Sequence, residues 1–383
     1  MLKKIKVLTF SGYYLPGYKG GGPIKTIKNL FLHTSDAVNY KLVTSDRDLD
    51  DTTPYDKIRC NEWNELSNVS VFYSSPNFTG LKSIARVLLE KDYELIYLNS
   101  FFSIKFSFFP LIIAKILGKK IILGPRGEFS LGALGIKSSK KKCFLFIYKL
   151  LGLHKKVVFQ ASTVFEANDI RRVLGNDADV IIAEDIGSQE FSENMVPRQA
   201  AMLKAVFISR ISPKKNLHVA LDILKQVKQP LEYHIYGPIE DEVYWQRCMK
   251  IIEGLPAHIT VKHMGSLMPD EVVLTLNQYD VFFFPTAGEN YGHVIAEALC
   301  AGLPILVSDA TPWRNLEQKS IGWDLPLSNL DEFSAILDYL AAMSSEEHLE
   351  MRYKVLEWSK FKFSQRDAIE ANVTMFEYAC NKN

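Results

Sequence analysis

The sequence has 383 residues, more than a single ordinary hydrophobic core organises, and this length predicts about two domains. Hydrophobic residues make up 47% and charged residues 23%, which is typical of soluble globular proteins and excludes disordered or collagen-like chains. The 45 Lys and Arg residues almost balance the 44 Asp and Glu residues, so the net charge of +1 argues against a protein that coats nucleic acid, and we expect no nucleic-acid partner.

The first half of the sequence alternates short β-rich runs with segments of helical length. The predicted strands are Ile5–Phe10, Tyr40–Thr44, Val69–Tyr73, Glu94–Leu98, Ile121–Leu123 and Val157–Gln160, and the predicted helices are Pro23–Thr34, Leu81–Glu90 and Ile104–Leu117. This alternation predicts a parallel sheet covered by helices on both faces. The most apolar stretch, Phe101 to Leu117, is interrupted by Lys105, Pro110 and Lys115, so a buried helix is favoured there over a membrane span.

The second half repeats the same rhythm. Its predicted strands are Ala205–Ser209, Glu232–Tyr236, Ile259–His263, Val281–Phe284 and Ile305–Ser308, and its predicted helices are Leu217–Lys228, Asp241–Glu253, Asp270–Asn277 and Val294–Cys300. The sequence therefore predicts two doubly wound domains, residues 1–190 and 200–363, with ligands bound beyond the carboxyl ends of the strands. An amphipathic pattern at Ile369, Val373 and Phe376 predicts a terminal helix within residues 364–383.

The five cysteines are scattered and never spaced as Cys-x-x-Cys, so neither a zinc site nor a disulfide framework is indicated. A reducing, cytoplasmic location fits this pattern. The apolar run that follows Lys3 and Lys4 is too short for the core of a signal peptide and is interpreted as the first strand.

Two segments offer groups that bind anions. Gly20, Gly21 and Gly22 precede the first predicted helix, where exposed backbone N–H groups can meet a phosphate, although their spacing matches neither a dinucleotide loop nor a Walker loop. In the second half, Arg210 and Lys215 follow a strand, and together they offer a planar fork and a mobile point charge to a diphosphate.

The most informative segment follows the apolar strand that ends before Pro285. A loop carries Glu289, a helix begins near Gly292, and Glu297 lies on the second turn of that helix. Carboxylates accept hydrogen bonds from sugar hydroxyls, and helix-terminal N–H groups hold phosphate oxygens. Glu297 has apolar neighbours, so an unpaired carboxylate there would be costly.

At this point the sequence resembles the retaining glycosyltransferases of family 4. The Glu-x7-Glu spacing of Glu289 and Glu297, Arg210 with Lys215, and the glycine-rich loop carry the resemblance, which extends over nearly the whole chain. It implies the GT-B fold, in which two Rossmann-like doubly wound domains face an interdomain cleft and the C-terminal helix crosses back to the N-terminal domain.

The resemblance also implies roles for the individual residues. Arg210, Lys215 and Glu289 would be catalytic: the two cations would neutralise the donor diphosphate, and Glu289 would hold hydroxyls of the donor sugar. Glu297 would bind the nucleotide ribose. The remaining donor-binding residues would be Gly21, Gly22, Asn290, Tyr291 and Gly292. His293 lies beside this site, and a capping or packing role explains it equally well.

The implied reaction is transfer of a sugar, with retention at the anomeric carbon, from a nucleotide diphosphate donor to a hydroxyl. We expect neither a metal nor another cofactor, because two cations supply the charge that a metal would, and we do not interpret the Asp-x-Asp spacing of Asp46 and Asp48 as the motif of metal-dependent transferases. The polar loop that contains Asp46, Asp48, Asp50 and Asp51 is interpreted as solvated.

Acceptor contacts are less clearly indicated. Many members of the family have a histidine after a middle strand of the N-terminal domain, whereas this chain has Gly124-Pro125-Arg126-Gly127-Glu128. Arg126 and Glu128 are therefore the acceptor-side candidates.

The segment Lys137–Lys156 suggests where the acceptor is found. No acidic residue occurs between Glu128 and Glu166, while seven lysines there alternate with aromatic and aliphatic residues. A basic amphipathic helix of this kind lies in the headgroup region of an anionic membrane, and the alternative is a core helix with a lysine-rich outer face. The membrane interpretation predicts a lipid-linked glycan acceptor, surface polysaccharide synthesis, and a peripheral position at the inner face of the plasma membrane.

Other functions remain open at this stage. A nucleotide-sugar epimerase would lack this arrangement of Arg210, Lys215 and the two glutamates, and a phosphorylase would need a pyridoxal-binding lysine motif that is not evident. A non-catalytic sugar- or nucleotide-binding subunit of a polysaccharide-assembly complex is the remaining alternative. The intact set of charged residues argues against it.

Overall fold

A computed structural model describes residues 3–66, 69–135, 138–198, 202–364 and 366–382. The chain divides into two compact units. One comprises Met1–Ile186 with Arg366–Asn383, and the other comprises Gly187–Gln365. We refer to them as unit 1 and unit 2.

Unit 1 is built on an eight-stranded sheet in the order β3-β4-β2-β1-β5-β6-β7-β8. Its strands are β1 Ile5–Phe10, β2 Val38–Ser45, β3 Trp63–Leu66, β4 Val69–Ser74, β5 Leu95–Leu98, β6 Lys120–Leu123, β7 Val158–Ala161 and β8 Asp179–Ile182. All neighbours pair in parallel except β3, which runs antiparallel to β4. The residues of β5 and β7 are all buried, as expected for strands covered on both faces.

Seven helices accompany this sheet in the described residues. They are α1 Gly22–Thr34, α2 Phe78–Leu88, α3 Phe109–Ile116, α4 Leu131–Gly135, α5 Ser138–Leu150, α6 Val164–Leu174 and, after unit 2, α13 Asp367–Asn381. A π-helical turn, Ile104–Phe108, leads into α3.

Unit 2 is built on a six-stranded parallel sheet in the order β11-β10-β9-β12-β13-β14. Its strands are β9 Leu203–Ile208, β10 Leu231–Tyr236, β11 Ile259–His263, β12 Val281–Phe284, β13 Ile305–Ser308 and β14 Gly322–Leu325. Its helices are α7 Leu217–Leu224, α8 Glu242–Glu253, α9 Val272–Leu276, α10 His293–Cys300, α11 Leu330–Ala342 and α12 Ser345–Ser364. The two parallel, helix-covered sheets confirm the predicted pair of Rossmann-like domains.

The last helix, α13, returns to unit 1. Phe376 lies edge-on to Tyr40 and Tyr97, with ring centroids 5.9 and 5.5 Å away. Asn372 is also buried, and its amide donates to the carbonyl of Glu184 at 2.8 Å. The buried face of α13 therefore differs slightly from the predicted face of Ile369, Val373 and Phe376, because it includes the polar Asn372, whose amide has a backbone partner.

Candidate active site

The candidate site of unit 2 lies where the strand order reverses. Strands β9 and β12 are neighbours, with Val206 in register with Phe282, although β10, β11 and the helices α7 to α9 lie between them in the sequence. Adjacent loops at such a position diverge to opposite sides of the sheet and leave a crevice beyond the carboxyl ends of the strands. Arg210 follows β9 and Glu289 follows β12, so both predicted residues belong to this crevice.

Lys215 and Glu289 form an ion pair across these two loops. The Lys215 Nζ and Glu289 Oε1 atoms are 2.7 Å apart, and the two side chains are only 15% and 12% exposed. A single 3-10 turn, Pro213–Lys215, brings the lysine there, and the next residue, Asn216, ends the turn with a φ of 62°. The Asn216 amide donates to the carbonyl of Pro285 at 3.1 Å, which ties the two loops together.

A second group of contacts supports Glu289. The hydroxyl of Thr286 lies 3.2 Å from Glu289 Oε1, and the backbone N–H of Gly288 lies 3.3 Å from the same hydroxyl. Thr286 has no exposed surface, and its carbonyl accepts a 2.5 Å hydrogen bond from the Ser308 hydroxyl. Sequence reasoning missed Thr286 because a threonine after a strand carries no chemical signal until its distance to the carboxylate is known.

Arg210 is paired with a residue that was not predicted. Its Nη1 lies 2.8 Å from Oε1 of Glu240, in the loop that follows β10, and the two side chains are 39% and 41% exposed. Exposed pairs of this kind contribute little stability. The Arg210 guanidinium group is thus held in a solvent-accessible position in the same unit as Lys215.

The loop before α10 is fixed by aromatic packing. Gly292 is the N-cap residue of the helix and has a φ of 81°, a conformation that favours glycine. Trp313 Nε1 donates to the carbonyl of Tyr291 at 2.6 Å, and their rings meet edge-on at 5.6 Å. His293 packs against the Tyr291 ring at 4.9 Å between centroids. Asn290 lies in the same loop, between Glu289 and Tyr291.

Glu297 is on α10 and is 6% exposed, so it occupies a buried position in which an unpaired carboxylate would be costly. Burial, with the nearby Glu297 charge as the next contribution, raises the pKa of the Cys300 thiol. The structure therefore places both glutamates of the Glu-x7-Glu motif in one unit with Arg210 and Lys215. The ribose-binding role of Glu297 remains a prediction.

The glycine-rich loop belongs to unit 1. It follows β1, which neighbours β5 where the strand order of that sheet reverses. Gly21 has a φ of 66° and precedes α1, and Gly22 is the first residue of that helix. The first turn of α1 has no side-chain cap and no acidic residue, which suits an anion. The part of Gly21 and Gly22 in donor binding remains a prediction.

The interpretation of the neighbouring acidic loop as solvated was wrong for two of its residues. Asp46 and Asp48 are 1% and 4% exposed. Asp46 forms a 2.8 Å ion pair with Arg47, while Asp48 accepts hydrogen bonds from the backbone N–H groups of Tyr18 and Lys19, at 2.7 and 3.0 Å. The Asp48 carboxylate is buried because it anchors the start of the glycine-rich loop. The composition of the acidic loop does not reveal this contact between distant segments.

The acceptor-side candidate Arg126 is engaged inside unit 1. It has a positive φ of 56°, and its Nη1 lies 2.7 Å from Oδ1 of Asp185, with the Arg126 and Asp185 side chains 9% and 3% exposed. Its other nitrogens donate to Asn99 and to the Tyr97 hydroxyl. Arg126 thereby braces the loop after β6, and a direct acceptor contact remains a prediction.

Glu128 braces the same region. Its carboxylate accepts from the Ser100 hydroxyl at 2.9 Å and from the backbone N–H groups of Phe101 and Phe102. Burial raises the pKa of Glu128, and the three hydrogen bonds oppose that shift. These contacts hold the loops after β5 and β6 together, and an acceptor contact by Glu128 also remains a prediction.

Helix α5 carries most of the lysine-rich segment, of which Lys137 lies outside the described residues. Its inner face packs Tyr148 and Phe144 against Phe101, at centroid distances of 4.6 and 5.8 Å. Its outer face is not purely polar, because Phe146 and Leu150 are 67% and 73% exposed. We call the following exposed residues the basic apolar patch: Lys140, Lys142, Phe146, Ile147, Lys149, Leu150 and Leu151.

The described residues contain neither a helix that could span a membrane nor a cluster of metal-binding side chains. No helix in the described ranges has both the length and the apolar composition to cross a membrane. Within the same ranges, no three or more His, Cys, Asp or Glu side chains cluster so as to hold a metal ion. Independence from a metal remains a prediction.

Comparisons with known proteins identify the sequence pattern in unit 2. Residues 191–354 match the family described as Glycosyl transferases group 1. A sulfoquinovosyl transferase of Arabidopsis thaliana is 31% identical over 31% of this chain and 24% of its own length. A putative colanic acid biosynthesis glycosyltransferase of Escherichia coli is 25% identical over 46% of this chain and 45% of its own length.

The other similarities extend further along the chain. A phosphatidyl-myo-inositol mannosyltransferase of Mycobacterium tuberculosis is 27% identical over 56% of this chain. The chain spans 58% of that relative's length and less than half of the other two. The crystal structure of Anabaena HepE with UDP and glucose is 16% identical, covers 98% of this chain and 99% of its own, and has a TM-score of 0.69. Residues 191–354 thus carry the pattern of group 1 glycosyl transferases, and the chain has the predicted GT-B fold.

Proposed function

We propose that the protein is a retaining, metal-independent glycosyltransferase. It moves a hexose-type sugar from a nucleotide diphosphate sugar to a hydroxyl of a glycan acceptor. Unit 2 binds the donor, and unit 1 with α13 binds the acceptor. The observation that carries the proposal is the enclosed Lys215–Glu289 pair, with Arg210 on the adjoining strand end, at the strand-order reversal of unit 2.

The chemistry follows from these groups. When the bond between the anomeric carbon and the diphosphate breaks, negative charge grows on the leaving phosphate, and fixed cations lower the energy of that state. Arg210 and Lys215 provide two cations on one short segment. Glu289 holds hydroxyls of the sugar, and the leaving phosphate itself takes the acceptor proton, so that the reaction needs no separate protein base.

The donor is proposed to be UDP-linked. Support comes from HepE, whose structure contains UDP and glucose, together with the shared fold. Glu297 then binds the ribose, and the loop of Asn290, Tyr291 and Gly292 meets the phosphates through its backbone.

The acceptor is proposed to be a lipid-linked glycan used in surface polysaccharide synthesis, as in capsule, O-antigen or exopolysaccharide. Two relatives support this class. One is named for colanic acid biosynthesis, and another is named a phosphatidyl-myo-inositol mannosyltransferase. We propose that the protein is cytoplasmic and associates with the inner face of the plasma membrane.

The basic apolar patch supports the membrane association. A core helix with a merely solvated outer face would carry polar residues there, but the outer face of α5 exposes Phe146, Ile147 and Leu150 beside its lysines. Apolar side chains that enter the headgroup boundary and lysines that meet anionic headgroups together favour an anionic bilayer surface.

The test of the activity is a nucleotide-release assay with UDP-glucose, UDP-galactose, UDP-N-acetylglucosamine and GDP-mannose, combined with isothermal titration of UDP. We expect saturable UDP binding and release of nucleotide from at least one donor, with retention at the anomeric carbon in the product. Arg210→Ala should lower the rate by two orders of magnitude or more. Tight UDP binding with no turnover of any donor and acceptor would support the non-catalytic scaffold instead.

The test of the membrane surface is vesicle sedimentation. Lys140→Glu with Lys142→Glu should release the protein from vesicles of phosphatidylglycerol and phosphatidylcholine. The matched control, Lys228→Glu with Lys250→Glu, makes the same change of charge at exposed positions of unit 2 and should bind as the wild type does. Equal binding by all three proteins would contradict the assignment.

A further inference from the structure

The buried hydroxyl of Thr286, in unit 2, contacts Glu289, and the proposed reaction gives this hydroxyl no role. Thr286 follows β12 by two residues and is fully buried. Its hydroxyl lies 3.2 Å from Glu289 Oε1, 3.3 Å from the N–H of Gly288, and 3.4 Å from the carbonyl of Lys214. A hydroxyl has one proton to donate, and the nearer, charged oxygen of Glu289 is the stronger acceptor.

We infer that Thr286 is a positioning residue that fixes the Glu289 carboxylate for the donor sugar. The inference rests on the proposed function. The Thr286 hydroxyl donates to Glu289 and accepts from the backbone N–H of Gly288. It therefore fixes the orientation of the Glu289 side chain and the backbone of the loop that carries it.

The contacts of Glu289 indicate why this matters. Lys215 and Thr286 both meet Oε1, so in the proposed reaction we assign the other oxygen of the carboxylate, Oε2, to the donor hydroxyls. Lys215 also serves the diphosphate in the proposed reaction, and its hold on Glu289 weakens when the donor arrives. Thr286 is then the contact that keeps the carboxylate in place.

The support of Thr286 itself is rigid. The Ser308 hydroxyl donates to the Thr286 carbonyl at 2.5 Å, and the backbone N–H of Ala287 donates to the Lys214 carbonyl at 3.1 Å. Thr286 therefore sits between the loop that follows β9 and the end of β13. A group held from both sides is able to impose a geometry on its neighbour.

The experiment compares Thr286→Val with Thr286→Ser. Valine keeps the shape and loses the hydroxyl, whereas serine keeps the hydroxyl. For the donor that the wild-type protein uses, kcat/KM should fall about 10- to 100-fold in Thr286→Val, as expected for a hydrogen bond to a charged group, and should recover within a few-fold in Thr286→Ser. UDP without a sugar should bind both variants within about twofold of the wild type, because the lost contact concerns the sugar-binding carboxylate.

Thr44→Val is the matched control. Thr44 is a fully buried strand residue of unit 1, and its hydroxyl has no hydrogen-bond partner within the described part of the chain, so activity should not change. Wild-type kcat/KM in Thr286→Val would overturn the inference, as would an equal loss of UDP binding and transfer, which indicates a general structural role. Failure of the wild-type protein to use any donor overturns the proposed function and this inference together.

Discussion

The enclosed ion pair of Lys215 and Glu289 leads to a prediction that separates stability from catalysis. Lys215→Ala leaves the Glu289 carboxylate, which is 12% exposed, without its 2.7 Å partner. Removing one member of a buried pair costs about 3–5 kcal/mol, and because some solvent still reaches this pair we expect about 2–4 kcal/mol. For a unit of this size, at about 2–4 °C per kcal/mol, that corresponds to a fall in Tm of about 4–16 °C.

Arg210→Ala is the contrasting variant. Its partner Glu240 is 41% exposed, so loss of the pair should change the free energy of unfolding by no more than about 1 kcal/mol. Both variants should slow transfer by about 100- to 1000-fold, because each removes charge that stabilises the leaving diphosphate. Only Lys215→Ala should unfold at a lower temperature.

Tryptophan fluorescence is a suitable probe of the melting. Four of the five tryptophans, at positions 245, 313, 323 and 358, lie in unit 2, and the fifth is Trp63. The double variant Lys215→Met with Glu289→Gln removes both charges and should recover most of the stability without recovering activity. The reasoning is refuted if Lys215→Ala melts at the wild-type temperature or if Arg210→Ala is destabilised equally.

Three further predictions concern other contacts. Glu240→Gln frees Arg210 for the diphosphate and should tighten UDP binding by about 1.5- to 5-fold in a titration, since measured exposed pairs contribute about 0.2–1 kcal/mol. Unchanged or weaker binding would contradict it. Trp313→Phe removes the N–H that donates to the Tyr291 carbonyl. It should raise KM for the donor and lower the free energy of unfolding by about 1–2 kcal/mol. An unaltered KM would count against a role of Trp313 in shaping the loop. Burial lowers the pKa of Lys105 from 10.5 to about 8, so the unfolded chain binds more protons than the folded chain between these pH values. The free energy of unfolding should therefore rise from pH 8 to 10 relative to that of Lys105→Met. Parallel pH profiles of unfolding for the two proteins would disprove this.

The strands that sequence reasoning missed share a location. β3 and β8 are the two edges of the first sheet, and β14 is an edge of the second. Edge strands have one neighbour, and polar residues inside β3 and β14 interrupt the apolar run by which the central strands were found. Tertiary pairing, more than local pattern, makes them strands.

The acidic loop and helix α5 illustrate the same limit for individual residues. Asp48 looked solvated, and it is buried because the backbone of Tyr18 and Lys19, thirty residues away, supplies its hydrogen bonds. The lysine-rich segment was predicted to be amphipathic, and the structure adds which side is which: Tyr148 faces the core and Phe146 faces outward. Burial depends on what a segment packs against, and the sequence of the segment alone does not contain that information.

Local sequence patterns were enough to predict the two doubly wound domains, the terminal helix and the principal charged residues of the candidate site. These follow from local properties: apolar runs of strand length, helical periodicity, and charged residues placed just after strands. The tertiary structure alone decided that Lys215 pairs with Glu289, that Glu240 holds Arg210, that Thr286 supports Glu289, and that Arg126 and Glu128 brace their own loops. The physical reason is that charge pairing and burial are set by groups brought together across the ends of parallel strands, from segments far apart in the chain.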